Sequence, residues 1–209
     1  MDTPNVNRLA LVLVAAVVAV LGLAGCGTAG FPDYPYAKEP DPRNAEYVIG
    51  IGDRLGINVW ENEALSTDAV VRPDGTITMP LVGDLKASGE TPSALKARIK
   101  TRLGDFLKSA QNAEITVAVA EAASYRFTIS GEVQHQGVFS SAYYVTVLEA
   151  IALAGGFTRF ADSDGITIQR RDPKTNKIRS IPIVYEILAK GDHPEMNIVV
   201  MPNDSIFVP

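Results

Sequence analysis

The chain has 209 residues, of which 46% are hydrophobic, and carries a formal net charge of −5. After the removal of a leader, this length provides one medium-sized domain or two small ones. The acidic balance argues against a nucleic-acid partner, because nucleic-acid-binding domains usually present a concentrated basic surface. The single cysteine, Cys26, excludes an internal disulfide framework.

The N-terminus has the pattern of a secretory signal. Arg8 is the only positive side chain before an unbroken apolar run at residues 9–24, and Gly25 then precedes Cys26. A charged start, an apolar segment and a small-residue cleavage site are the three parts of a signal peptide. An uncleaved membrane anchor is disfavoured, because the run is shorter than the about 20 apolar residues that span a bilayer. We therefore predict a signal peptide at residues 1–25.

The residues around the cleavage site, 23–26, read LAGC and resemble the lipobox of bacterial lipoproteins. The resemblance implies that the signal is cleaved between Gly25 and Cys26 and that Cys26 is the lipid attachment residue. Two or three acyl chains at this position hold a protein stably on a membrane. Gly27 stands where an aspartate often retains such lipoproteins in the inner membrane, so the resemblance implies sorting to the outer membrane.

Residues 26–44 are predicted to form an extended, lipidated tether. Four prolines fall between residues 32 and 42, and this density excludes a helix or a central strand. A proline-rich segment is stiff and extended, so it would lift the folded part of the chain away from the membrane surface.

The first folded unit is predicted to be a small α+β domain at residues 45–121. Apolar and other residues alternate over 55–59, which indicates a half-buried strand, and residues 73–76 read PDGT, a strong turn signal. Thr91 is a suitable N-cap for an amphipathic helix that ends near residue 107. A further alternating strand is predicted at 115–119.

The second folded unit is predicted at residues 122–209 and is also of the α+β class. Thr146 and Glu149 form the pattern of a capping box at the start of a helix, which ends at the glycine pair 155–156. Strands that surround this helix suggest a β-grasp-like unit. They are predicted at 127–133, 166–169, 178–183, 198–201 and 206–208.

No residue pattern identifies an enzyme. The two histidines, His135 and His193, lie in predicted loops, and no glycine-flanked serine accompanies them. Glu61 and Glu63 could suggest glycoside hydrolysis, but an acidic pair at a strand end is more typical of a solvated surface. The run at 162–165 reads DSDG and lacks the remaining ligands of a calcium loop. We predict no catalytic residue, no cofactor and no metal site.

Several segments resemble two families of domains. Residues 47–55 (YVIGIGDRL) and 73–77 (PDGTI) resemble the polysaccharide biosynthesis/export domain. Residues 131–133 (GEV), 146–156 (TVLEAIALAGG) and 202–209 (PNDSIFVP) resemble the soluble-ligand-binding β-grasp (SLBB) domain. In this order, and after a lipobox, they resemble the outer-membrane polysaccharide export lipoproteins.

The residues of these motifs are predicted to serve the fold. Gly52, Gly75 and Gly131 suit turn positions that require positive φ or a close backbone approach. Asp53 and Asp74 suit turn capping. We therefore assign them no binding role.

The resemblance implies a component of a capsule or exopolysaccharide export machine. It implies a homo-oligomeric ring that guides a polysaccharide polymer, lipid-anchored in the periplasmic leaflet of the outer membrane and facing the periplasm. It also implies contact with an inner-membrane polysaccharide co-polymerase, the chain-length regulator. Larger members continue into an amphipathic helix that forms the outer-membrane pore, whereas this sequence ends at Pro209. We therefore expect a short form without its own pore, which depends on a separate outer-membrane β-barrel.

Two other functions remain open at this point. The first is a monomeric carbohydrate-binding lipoprotein that senses or retains polysaccharide, and the mass of the purified protein would distinguish it from a ring. The second is a lipid-anchored glycan-processing enzyme that uses Glu61 and Glu63, and alanine variants in a polymer-degradation assay would test it.

Overall fold

The computed structural model describes residues 31–106, 114–172 and 175–209. The predicted signal peptide, with Gly25 and Cys26, lies outside the described residues. Within them, no helix has the length and apolar character that are needed to cross a bilayer. The described chain forms two α+β modules in sequence order, and each has its own hydrophobic core. This arrangement confirms the α+β prediction.

The first module combines a three-stranded antiparallel sheet, in the order β2-β1-β5, with a β3–β4 hairpin and one long helix. Its elements are β1 (Arg54–Val59), β2 (Thr67–Val70), β3 (Thr76–Met79), β4 (Gly83–Lys86), α1 (Pro92–Phe106) and β5 (Ile115–Glu121).

The core of the first module follows the periodicity of its sequence. Every second residue of β1 is buried, as the alternation predicts for a strand with one face on a core. The buried residues of α1 recur at intervals of four, so that they lie on one face of the helix. They are Leu95, Ile99 and Leu103. Burial of each stabilises the fold by about 1.5–3 kcal/mol.

The second module is a five-stranded sheet, in the order β7-β6-β10-β8-β9, that packs against a short helix. β10 runs parallel to β6, and the other neighbouring pairs are antiparallel. Its elements are β6 (Arg126–Gly131), β7 (Gly137–Ser140), α2 (Val147–Leu153), β8 (Ile166–Arg171), β9 (Ile178–Ile183), α3 (Tyr185–Lys190) and β10 (Ser205–Val208).

Helix α2 begins and ends as the sequence predicts. The backbone N–H of Thr146 donates to the Glu149 carboxylate over 2.7 Å, which is one half of the capping box. The helix ends at Leu153, and it is followed by Gly155 and Gly156, whose φ angles of 81° and 83° are left-handed. Glycine adopts this conformation at no steric cost, so the pair terminates the helix.

Two elements of the second module were not predicted. β7 has four residues and begins at a glycine, so it is too short to show a clear alternation. α3 begins directly after β9, and no side chain caps it at Val184, so the sequence carries no start signal there.

The segment before the first module differs from the extended tether predicted for it. Residues 34–44 contain two short 3₁₀ turns, Tyr36–Lys38 and Pro42–Asn44. The side chain of Tyr36 is buried in the core of the second module, with 3% of its surface exposed. The prolines exclude an α-helix, as expected. The proline content does not, however, predict whether an aromatic side chain between the prolines is buried.

Candidate functional site

The residues considered for catalysis lie at or near the surface. Glu61 and Glu63 are exposed, and Glu63 begins a 3₁₀ turn that ends at Leu65. His135 is exposed in a loop, and the half-buried His193 lies 2.9 Å from the Glu195 carboxylate. Among the described residues, no group of three or more histidine, cysteine, aspartate or glutamate side chains is arranged to hold a metal ion.

The acidic loop at residues 162–165 has a structural role. The carboxylate of Asp162 accepts a hydrogen bond from the backbone N–H of Asp164. The carboxylate of Asp164 in turn accepts one from the backbone N–H of Glu186, in the first turn of α3. The loop therefore holds the start of α3.

The side chain of Asp53 joins the two modules. We call Asp53, Tyr47 and Ser124 together the junction. Its side chain is fully buried, and its carboxylate accepts hydrogen bonds from the backbone N–H groups of Gly50 and Ser124, both over 2.7 Å. The hydroxyls of Tyr47 and Ser124 also donate to it, over 2.8 and 3.0 Å. The predicted turn cap is therefore present, but the same carboxylate also holds the chain where the second module begins.

Tyr47 and Tyr144 extend the junction into an aromatic cluster. The ring centroids of Tyr47 and Tyr144 are 6.4 Å apart, and Tyr144 meets Tyr125 edge-on at 4.9 Å. Burial raises the pKa of each of these three tyrosines, and the neighbouring Asp53 carboxylate raises that of Tyr47 further. Their hydroxyls therefore remain protonated at any physiological pH.

A cleft of about 740 Å³ opens beside this cluster, between the two modules. One wall is the end of β5 with the linker that follows it, and the other is the start of β6 with the loop after β7. The lining combines apolar and polar groups, namely tyrosine rings, serine hydroxyls, a glutamate and an arginine. Clefts with this composition bind small or extended ligands in many proteins.

A second buried feature, which the sequence analysis missed, is an ion cluster of Glu39, Arg170 and Asp204. These side chains are 3%, 5% and 1% exposed. The guanidinium of Arg170 donates to Asp204 over 2.6 Å and to Glu39 over 2.7 Å. Buried charges require such pairing, since an isolated buried ion is very costly.

The cluster fastens the segment at 34–44 to the second module. Glu39 also pairs with Arg179 on β9, at 2.8 Å. Tyr36 donates its hydroxyl to the carbonyl of Pro182, also on β9. One signal in the sequence could have revealed the cluster: Arg170 follows Ile166 and Ile168 at the spacing of a strand's buried face.

Comparison with known proteins places both modules in described families. The model of the polysaccharide biosynthesis/export protein family matches residues 41–120. The SLBB domain model matches residues 126–182. The two matches follow the order of the modules and together cover more than half of the chain. This chain belongs to the polysaccharide export family.

The structure places more of the chain in the SLBB domain than the matched range. β10, at Ser205–Val208, lies beyond residue 182, yet it pairs with both β6 and β8 in the middle of the sheet. The polysaccharide export domain corresponds to the first module, and its matched range also includes the turn at Pro42–Asn44.

Three relatives are similar to parts of the chain. Exopolysaccharide production protein ExoF of Rhizobium meliloti (strain 1021) is 35% identical over 128 residues, which is 56% of this chain and 30% of the relative. Polysialic acid transport protein KpsD of Escherichia coli is 24% identical over 148 residues, 71% of this chain and 26% of the relative. Capsule polysaccharide export protein BexD of Haemophilus influenzae is 25% identical over 178 residues, 76% of this chain and 42% of the relative. The chain thus spans less than half the length of each.

Proposed function

We propose that this protein is a lipid-anchored component of a capsule or exopolysaccharide export machine. It guides a polysaccharide polymer through the cell envelope without a covalent step. The observation that carries this proposal is the polysaccharide export domain followed directly by an SLBB domain. The names of the relatives, which refer to exopolysaccharide production, polysialic acid transport and capsule export, support it.

The proposed mechanism is conduit and docking, performed by a homo-oligomeric ring. Large exposed apolar side chains on both modules support subunit contacts, because an interface would remove them from water. Trp60 on the first module is 67% exposed, and Val138 and Phe160 on the second are 68% and 71% exposed. The junction at Asp53 supports a ring as well, since it holds the two modules of each subunit in one relative position.

The proposed location is the periplasmic leaflet of the outer membrane, with the lipid on Cys26. The machine would include an inner-membrane polysaccharide co-polymerase and an outer-membrane β-barrel as further partners. The lipobox at residues 23–26 supports the anchor, and the family membership supports an envelope location.

Deletion of the gene tests the export function. We expect polysaccharide to disappear from the cell surface and to accumulate inside the cell, and expression of the wild-type chain to restore the surface polymer. Polysaccharide is quantified in surface extracts and in lysed cells. Unchanged surface polymer after deletion would overturn the proposal.

The mass of the purified full-length protein in detergent tests the ring. A homo-oligomer is expected. The cleft between the modules supports a second candidate function, that of a monomeric lipoprotein that binds carbohydrate. A monomer that persists at high protein concentration would favour this second function over the ring.

A further inference from the structure

The cleft between the modules presents an exposed aromatic ring and a cation on the same surface. Tyr143 lines the cleft and is 64% exposed. Arg126 lines it too, and in the described part of the chain no carboxylate forms an ion pair with its guanidinium. Ligand pockets are commonly lined by aromatic side chains together with a few polar or charged groups that fix the orientation of the ligand.

The sheet register places hydroxyl groups next to this cation. Arg126 is the first residue of β6, and Ser140, the last residue of β7, lies directly opposite it. Directly opposed residues in an antiparallel pair have their Cβ atoms about 5 Å apart, so these two side chains are neighbours. Ser141 follows, and its hydroxyl accepts a hydrogen bond from the backbone N–H of Tyr143, which holds the loop that carries the exposed ring.

The floor of the cleft is fixed by buried hydrogen bonds. The hydroxyl of Tyr125 donates to the carbonyl of Val200 and accepts from the backbone N–H of Val145, each over 3.0 Å. Tyr47, which also lines the cleft, donates its hydroxyl to the buried carboxylate of Asp53. A site whose supporting residues are already fixed loses little entropy when it binds a ligand.

The charge balance of the cleft favours an anionic ligand. Its one carboxylate side chain, Glu121, lies 3.6 Å from the guanidinium of Arg54, which offsets its charge. Arg126 therefore remains as the uncompensated charge of the lining. An arginine binds carboxylates through a planar fork of donors, and Ser140 adds a hydroxyl that can bond to a sugar.

We propose that this cleft binds sugar residues that carry an anionic substituent. The pyranose ring lies on the face of Tyr143, the anionic group pairs with Arg126, and the serine hydroxyls bond to the ring hydroxyls. This inference rests on the proposed export function, because it takes the exported polymer to be the ligand, and it adds that the polymer is acidic. The large number of such sites in a ring would hold the polymer through weak, rapidly exchanging contacts.

Calorimetric titration of the full-length protein in detergent tests the site. The probes are hexagalacturonate, a chain of six uronic acids, and maltohexaose, a neutral chain of the same length. We expect hexagalacturonate to bind at millimolar or lower concentrations and maltohexaose to bind at least about tenfold more weakly. Higher ionic strength should weaken the binding of hexagalacturonate, since the pair with Arg126 is screened by salt.

Two variants and two matched controls assign the binding to the cleft. We expect Arg126→Gln and Tyr143→Ala each to weaken the binding of hexagalacturonate by about tenfold, and Arg126→Gln also to remove most of its salt dependence. Arg102→Gln and Phe106→Ala, at an exposed arginine and at a ring that is 55% exposed, both lie on α1 outside the cleft and should change neither.

Several outcomes would overturn the inference. Wild-type protein that binds neither oligosaccharide, variants that bind as well as wild type, or equal binding of the neutral chain would each contradict it. A changed oligomer mass in Tyr143→Ala would show that a second subunit occupies the cleft, and would also contradict it. The gene deletion distinguishes the two proposals: lost export with no oligosaccharide binding would overturn only the ligand site, whereas unchanged export would overturn the export function.

Discussion

At the scale of single residues, Asp53 does more than the turn capping that its position predicts. Its carboxylate accepts four hydrogen bonds, two of them from Ser124, which lies 71 residues further along the chain. Removal of this buried carboxylate leaves the N–H groups of Gly50 and Ser124 without their acceptor. A buried donor without an acceptor costs about 1–3 kcal/mol.

We therefore expect Asp53→Ala to lower the free energy of unfolding by about 3 kcal/mol. Urea denaturation followed by circular dichroism measures this change. Asp68→Ala, at an exposed aspartate on β2, is the control and should stay within about 0.5 kcal/mol of wild type. Equal effects of the two substitutions would contradict the role of Asp53 at the junction.

Gly131 and Gly52 occupy positions that require glycine for different reasons. Both have a φ angle of 94°. A Cβ atom on Gly131 would lie 1.9 Å from the carbonyl oxygen of Val208, whereas nothing lies within 4 Å of one on Gly52. Gly52 is therefore required only for its backbone conformation, and Gly131 also for the close approach of β10.

We expect Gly52→Ala to destabilise the fold by about 1 kcal/mol, the cost of a left-handed alanine. Gly131→Ala should cost at least about 2 kcal/mol more, because β6 and β10 must move apart. Thermal unfolding of the two variants measures the difference. If both lose the same stability, the close contact with Val208 is not what constrains Gly131.

At the scale of elements, the segment at residues 34–44 is held by the buried ion cluster. Arg170→Ala leaves the carboxylates of Glu39 and Asp204 buried without their shared cation, so we expect a loss of about 3–5 kcal/mol in unfolding free energy. The adjacent Arg171→Ala removes an exposed arginine from the same strand and should cost less than about 1 kcal/mol. Denaturant unfolding compares them, and similar losses would contradict the importance of the cluster.

The tyrosines of the same segment, Tyr34 and Tyr36, lead us to expect a loss of stability at alkaline pH. Burial raises the pKa of Tyr36 from 10.0 to about 12, and burial with a hydrogen bond to Glu39 raises that of Tyr34 to about 12. A group whose pKa is higher in the folded state than in the unfolded state makes its full contribution to the free energy of unfolding below the unfolded-state pKa. This stabilisation is lost as the pH rises from about 10 through about 12.

We expect the unfolding free energy of the wild type to fall across this window, and that of Tyr36→Phe to fall less, since phenylalanine does not ionise. Absorbance of tyrosinate at alkaline pH, recorded beside denaturant unfolding at each pH, measures both effects. Tyr143→Phe, at an exposed tyrosine, is the control and should follow the wild type. A parallel pH dependence in Tyr36→Phe and wild type would contradict the assignment.

At the scale of the whole molecule, the proposed lipid on Cys26 decides where the two modules act. We expect Cys26→Ser to leave the membrane fraction, because serine has no thiol to accept the lipid. Its two modules should still fold, since no fully buried core residue precedes Tyr36 in the described part of the chain. Cell fractionation followed by denaturant unfolding of the recovered protein measures both properties. Thr28→Ser is the control, and retention of Cys26→Ser in the membrane would contradict the anchor.

The sequence by itself determined the local features of this protein. The alternation in β1, the spacing of buried residues in α1, the capping box at Thr146 and the glycine pair at 155–156 all agree with the structure. Each of them depends on residues within a few positions of one another, where backbone geometry and hydrogen bonding follow from residue type. The order of the two domains is likewise present in the sequence, and the family comparison confirms it.

Only the tertiary structure decided which residues connect these elements. Asp53 bonds to Ser124 across 71 positions, Arg170 to Glu39 across 131 and Tyr36 to Pro182 across 146. The cleft with Tyr143 and Arg126 likewise forms only where the two modules meet. The physical reason is that burial and pairing depend on distant segments, whose approach is set by the packing of both cores and not by the local pattern of either segment.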